Sequence, residues 1–359
     1  MGTLFRIYSF RVALIVSVSS VLSIYSLTQT VRQATASPTE RTLPSDVASV
    51  LMRAPKTTDI YSVSESKQMF NGQILKADVI TFQSGTGIVF NNFKVPWIAI
   101  VAKKIQFVDP SSNNAIFADS EWVPGRYSPP APPPPPGQAP KASECHTGPA
   151  GANGATGTKG RDGDTAPKIP KIYVIVGALI DQNEVPLPKA FRFTIDVLGF
   201  GGGDAGNGSQ GSVGGQGGDG GSANWHEPKD YPLDPGCKCG AGDGGPGGIG
   251  GLGGPGGKGG AASPGGDLEL DAPQAVLDSF YYSRFYNEGN GGGAGGVSGP
   301  SGPSGDGGVR GEHPGACGGG NSGLSPRTPI TPVVRGANGA NSPQGTILQD
   351  VDDNVARFF

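Results

Sequence analysis

Between Gly72 and Asp119 the chain alternates short apolar runs with polar or glycine turns. Ile74, Val79, Ile80 and Phe82 form one run, Ile88 to Phe90 a second, Trp97 to Phe107 a third, and Ile116 with Phe117 a fourth. The turns between them are Ser84 to Gly87, Asn91-Asn92 and Asp109 to Asn114. β-Branched and aromatic residues in runs this short, with no sustained helical period, predict strands. Recurrence every 8–11 residues fits either rungs of a right-handed parallel β-helix or a two-sheet sandwich. Lys171 to Ile180 and Ala190 to Leu198 predict two more strands, the second alternating as Phe191, Phe193, Ile195 and Val197.

The remaining pattern has a period of three. Gly148, Gly151, Gly154, Gly157, Gly160 and Gly163 stand at every third position, as do Gly208 to Gly220. Gly244 to Gly260 reads GGP-GGI-GGL-GGP-GGK-GGA, with two glycines in each triplet, and Gly293 to Gly311 returns mainly to single-glycine triplets. A polyproline II helix has three residues per turn, so residues i and i+3 share an edge. Gly-X-Y therefore leaves one edge bare, whereas Gly-Gly-X leaves two and turns every third side chain outward. That outward edge carries Pro246, Ile249, Leu252, Pro255, Lys258 and Ala261. Three readings follow: a packed bundle of glycine helices within one chain, which the breaks in register favour, a disordered region, or an intermolecular triple helix.

These patterns divide the chain into a signal peptide (1–36), a flexible lead-in (37–60), a β-rich domain (61–125) and a Pro-rich linker (126–144). A collagen-like Gly-X-Y segment (145–165), β-strands (166–200), a glycine-rich repeat region (201–345) and a C-terminal tail (346–359) follow. The expected fold class is mainly β and irregular. It comprises a β-rich part, parallel β-helix-like or sandwich, and a glycine-repeat polyproline II/polyglycine II bundle, with partial disorder left open. Pro132 to Pro136 reads as a stiff spacer.

Composition sharpens this mosaic. Glycine supplies 63 of 359 residues and proline 33, against roughly 7% and 5% on average, so one large conventional core is excluded. Arg6 and Arg11 before the apolar stretch Val12 to Leu27, then Ala34-Thr35-Ala36, predict export with cleavage after Ala36. Removing 1–36 leaves 24 basic against 30 acidic residues, a formal −6. That balance argues against nucleic acid as a partner. Asp350, Asp352 and Asp353 read as a solvated tail.

Cys145, Cys237, Cys239 and Cys317 are an even set in an exported chain and predict disulfides. Cys237 and Cys239 are too close to bridge comfortably, so each is expected to reach outward, one to Cys145 and one to Cys317. The competing use is a zinc set of the two, Cys317 and His313, at unusual spacing. Gly201 to Gly206 fits G-x-G-x-x-G, yet no helix-forming sequence follows it. Asp219 sits in one defective copy of a calcium β-roll repeat. Asp78, Asp109, Asp119 and Glu121 are carboxylates of the type a carbohydrate-cleaving β-helix uses, read here as turn and surface acids. No catalytic residue, cofactor site, metal site or small-molecule substrate is predicted. Tyr281, Tyr282, Phe285 and Tyr286 are either a cover for the glycine layer or an adhesive patch.

The order of a short Gly-X-Y run, strands, and a strand feeding into Gly199-Phe200-Gly201-Gly202-Gly203 resembles the exported collagen-like, glycine-rich proteins of bacteria. More distantly, the Gly-Gly-X runs resemble the polyglycine-helix tips of phage tail-fibre adhesins. The resemblance covers residues 145–345 and implies a secreted or cell-surface scaffold, self-associating or bound to an extracellular polymer, with glycan adhesion as the alternative. The expectation is a non-enzymatic structural protein.

Overall fold

A computed structural model describes residues 43–118, 122–189, 191–227, 236–314 and 317–359. The expected signal segment 1–36, its cleavage point after Ala36, and the acids Asp119 and Glu121 lie outside the described residues.

The apolar runs form strands that alternate between two sheets. The first pairs are β1 (Thr58–Val63) with β2 (Gln68–Phe70), β3 (Ile74–Phe82) with β4 (Gly87–Phe90), and β5 (Trp97–Phe107) with β6 (Ala115–Ala118). β7 (Lys171–Asp181) and β8 (Thr194–Asp196) repeat the step, a small β9 (Asn224–Trp225) and β10 (Cys237–Cys239) intervene, and β11 (Leu268–Ala272) follows. The chain ends with α2 (Gln274–Ser279), β12 (Arg284–Tyr286) and β13 (Ile347–Val351). One sheet runs β1-β3-β5-β7-β11-β13 and the other β12-β8-β6-β4-β2. All their pairings are parallel. Each advance of the chain thus adds one strand to each sheet, and the predicted segments 61–125 and 166–200 belong to the same pair of sheets.

Parallel strands covered on both sides need near-continuous apolar runs, and Ile98 to Ala102 is buried at every position. Between the sheets Phe82 stacks on Phe107 at 5.3 Å, and the Phe193 ring stands 5.5 Å from both. A smaller apolar cluster covers the outer side of the six-stranded sheet. It joins Ala99, Val101, Tyr173 and Ile175 to Val47 and Leu51 of α1 (Ser45–Arg53) and to Val355 and Phe358 near the C-terminus.

Two expectations change here. The lead-in 37–60 contains α1 and the start of β1, because Val47 and Leu51, spaced i and i+4, bury one helical face. The tail 346–359 contains β13 and a 3-10 turn, Val355–Phe358, because Phe358 is an apolar anchor and is fully buried. Asp350 is on β13 and half-buried, and Asp352 pairs with Arg357 at 2.8 Å, so only Asp353 remains a solvated acid.

On the third side the glycine-rich segments run out from the strands and back. The N–H groups of Gly203, Gly206, Ser209, Ser212, Gly215, Gly218 and Gly221 donate to the carbonyls of Asp164, Arg161, Thr158, Ala155, Ala152, Pro149 and His146. Segments 203–221 and 146–164 are therefore antiparallel. Segment 245–260 binds 203–218 in the same three-residue register, and 293–311 binds 242–260. Between alternate segments the register is parallel: Gly148 to Gly163 donate to Asp243 to Lys258, and Gly208 to Gly220 donate to Val297 to Val309. The proline-rich stretch is no free linker. Ala139 and Ala142 donate to Gln216 and Asp219, the non-proline residues supplying the N–H groups that proline lacks.

Candidate interaction surface

The hydrogen bonds group the outgoing segments 137–145, 203–221 and 291–311 into one layer and the returning segments 146–164, 242–262 and 318–345 into the other. The central segment of each layer touches neighbours on both sides and in the opposite layer. A Cβ on Gly251 would overlap the Ala155 carbonyl, and one on Gly253 the Gly299 carbonyl. Two of its three edges are thus closed to side chains. The third edge faces outward, and Pro246, Ile249, Leu252, Pro255 and Lys258 are all exposed between buried glycines. Beside them on the adjacent segment, Leu324 and Ile330 are 79% and 90% exposed. The outward edge of the other central segment carries Asp204, Asn207, Gln210, Val213 and Gln216, all exposed. The central row of one layer is therefore largely apolar and that of the other largely polar.

Outward residues leave their own N–H groups without a partner in the three-residue register. Asp and Asn side chains on the neighbouring segment fill this need. Asn153 Oδ1 accepts from the Ile249 N–H at 3.0 Å, and Asp162 accepts from Lys258 at 2.7 Å. Asp204, Asn207 and Asp219 accept from Ala294, Val297 and Val309 at 2.7–2.9 Å. Asp219, the calcium-repeat candidate, thus serves as a main-chain acceptor. Two buried serines replace inward glycines for a similar reason: the Ser209 and Ser212 hydroxyls accept from the N–H groups of Thr158 and Ala155, each at 2.7 Å. Lys159 first, then the Lys258 N–H, holds the Asp162 carboxyl below the usual range. Hydrogen bonds from Tyr127 and from the Gly125 N–H do the same for Asp164.

Three chain reversals at the far ends of these segments carry the cysteines. Cys145 and Cys239 are bonded with Cα atoms 5.9 Å apart, and Cys237 and Cys317 with Cα atoms 5.5 Å apart. The two bridges staple all three reversals, through the small antiparallel ladder of β9 and β10. Cys237, Cys239, Cys317 and His313 therefore form no zinc set, since bridged sulfurs offer no thiolate. Gly201 to Gly206 leads into no helix, and the Gly203 and Gly206 N–H groups are spent on Asp164 and Arg161 carbonyls rather than on a phosphate.

The other carboxylate candidates are dispersed. Asp78 pairs with Lys103 at 2.7 Å and Lys56 at 2.6 Å, the lysines holding it below the usual carboxylate range. Asp109 closes a turn through Ser111 and Ser84. The aromatic stretch splits: Phe280 is buried between the sheets, Phe285 packs against that core, and Tyr281 is exposed. Sequence reasoning passed over a cavity of about 370 Å³ where the second sheet meets the glycine layers, lined by Phe117, Trp122, Asp196, Leu198, Phe200 and Asn290. Trp122 Nε1 donates to the Gly201 carbonyl at 3.1 Å, and burial raises the Asp196 carboxyl. Trp122, set between the apolar run at Ile116-Phe117 and the proline-rich stretch, was the available signal. Among the described residues no helix is long and apolar enough to cross a membrane.

Comparison with known proteins yields no relative: no family model, no curated protein and no solved structure matches the chain.

Proposed function

We propose that this chain is a non-enzymatic structural scaffold of the secreted or cell-surface class. Its glycine-rich segments form a bundle of polyproline II/polyglycine II helices, drawn out from one side of a flattened parallel β-helix. The observation that carries this reading is the three-residue hydrogen-bond register among six segments, with main chain against main chain. Packing of that kind orders the backbone without using side chains, so the outward rows are free for contact with a polymer or a second copy. The bridges at the reversals fit an oxidising compartment.

A second reading, a glycan-binding adhesin, is favoured by the cavity at Trp122, where an aromatic ring adjoins Asp196 and Asn290. Apolar faces with a few convergent polar groups suit small ligands.

Circular dichroism of the oxidised protein tests the scaffold: a polyproline II signature lost in one cooperative melt is expected, and its gradual loss without a transition would refute the bundle. Glycan-array binding that Trp122→Ala abolishes would move the assignment to the adhesin. Depolymerisation of acidic polysaccharides by the purified chain would overturn the non-enzymatic reading.

A further inference from the structure

β11 reads Leu268-Glu269-Leu270-Asp271-Ala272, and alternation sends its side chains to opposite sides of the sheet. Leu268, Leu270 and Ala272 enter the core between the sheets. Glu269 and Asp271 therefore face the other side, in register with Tyr173 and Ile175 of β7, where α1 and the C-terminal turn close over the sheet. Both acids are buried, at 4% and 2% exposure. On the opposite neighbour, Asp350 of β13 is in register with Asp271. One carboxylate oxygen from each of Glu269, Asp271 and Asp350 lies within 4.8 Å of the other two.

Two buried carboxylates and a half-buried third at one point demand compensation. Glu269 has Lys171 at 2.5 Å, and the adjacent Asp352 has Arg357 at 2.8 Å. Asp271 has no such ion pair among the described residues, and its buried Oδ2 has no hydrogen-bond partner there either. The unpartnered oxygen belongs to the central residue of the cluster.

We propose that Glu269, Asp271 and Asp350 bind a hard divalent cation, calcium by the all-oxygen donor set. Carboxylate oxygens at 2.3–2.6 Å from one calcium ion stand no more than about 5 Å apart, which the cluster satisfies. No nitrogen or sulfur donor is in the cluster, which separates it from zinc and copper sites. In the absence of the ion, burial first, then Glu269, Asp350 and Asp352 push the Asp271 carboxyl up to about 8, against Arg357. The ion would tie the last strand, β13, to the sheet and hold the C-terminal turn over it. This inference is independent of the scaffold assignment.

The test is thermal melting of the full chelator-treated chain, titrated separately with calcium, magnesium and manganese. Terbium luminescence excited through Tyr173, which pairs with Glu269 across the strands, reports occupancy directly. Expected is an upward shift of several degrees with calcium, and bound terbium that calcium displaces. Asp271→Asn and Asp350→Asn should each abolish both signals. Asp271→Asn is expected to fold, since it removes an uncompensated charge; if it does not, Asp350→Asn carries the test. No shift with any of the three cations, or a shift and terbium signal that survive in these variants, overturns the proposal. A calcium effect in the unsubstituted chain that Asp271→Asn removes, while the polyproline II melt of that variant stays normal, separates this site from the bundle.

Discussion

At the scale of single residues, the repeat glycines are selected by contact distance rather than by backbone freedom. Among the described glycines only Gly85 and Gly236 have positive φ. In the layers, by contrast, the missing Cβ is what lets one main chain lie on the next. Gly251→Ala should therefore cost about 3 kcal/mol, at the upper end of overpacking, because the main chain at Gly154 and Ala155 must move to admit the Cβ. Leu252→Ala, one residue away but outward, should stay within about 0.5 kcal/mol. Urea denaturation of the two variants measures the contrast, and equal losses would contradict the layer geometry. The Asp and Asn acceptors add a second residue-level term. Asn153→Ala leaves the Ile249 N–H to water and should cost about 1 kcal/mol, read from the same denaturation curves.

At the scale of elements, each glycine run's composition matches its number of neighbours. Segment 244–260, with Gly-Gly-X, contacts four other segments, whereas segment 148–163, with Gly-X-Y, contacts its neighbours from an edge. The period, the outward row at Pro246 to Lys258, the strands of 72–119 and 171–198 and the reach of Cys237 and Cys239 to separate partners were legible, because each depends on local spacing. Less legible were features fixed by distant partners. Nothing in Ser45 to Arg53 names the sheet face it covers, and Glu269 with Asp271 becomes a cluster only when Asp350 arrives from 79 residues on through a parallel ladder. The proline-rich stretch read as a spacer because its donor role, at Ala139, Ala142 and Cys145, depends on segment 216–222. The bridges act at this scale as well. Cys237 and Cys317 close a loop with sequence separation 80, so Cys317→Ser should lower stability by about 4 kcal/mol in the chain-entropy account. The expected observation is a lower urea midpoint, with protease cleavage appearing first near the chain reversals.

At the scale of the whole molecule, two sets of carboxylates pull stability in opposite directions with pH. Asp78, Asp162 and Asp164 are held below the ordinary range by lysines or hydrogen-bond donors in the fold. The unfolded chain takes up their protons first, near pH 4. Their contribution is therefore whole at neutral pH and disappears as pH falls through the folded values. Asp196 and Asp271 are raised by burial, Asp271 up to about 8. For these the folded state holds the proton longer. Their contribution is complete below about pH 4 and declines as pH rises, for Asp271 until about 8. In chelator-treated protein the urea midpoint should accordingly peak in mildly acidic solution and fall on both sides. Asp271→Asn should flatten the alkaline limb and leave the acid limb intact, while Asp78→Asn should shallow the acid limb only. Midpoints measured from pH 3 to pH 9 on the three proteins decide it. An alkaline limb unchanged by Asp271→Asn would mean that the buried acids beside β13 do not govern the molecule's response to pH.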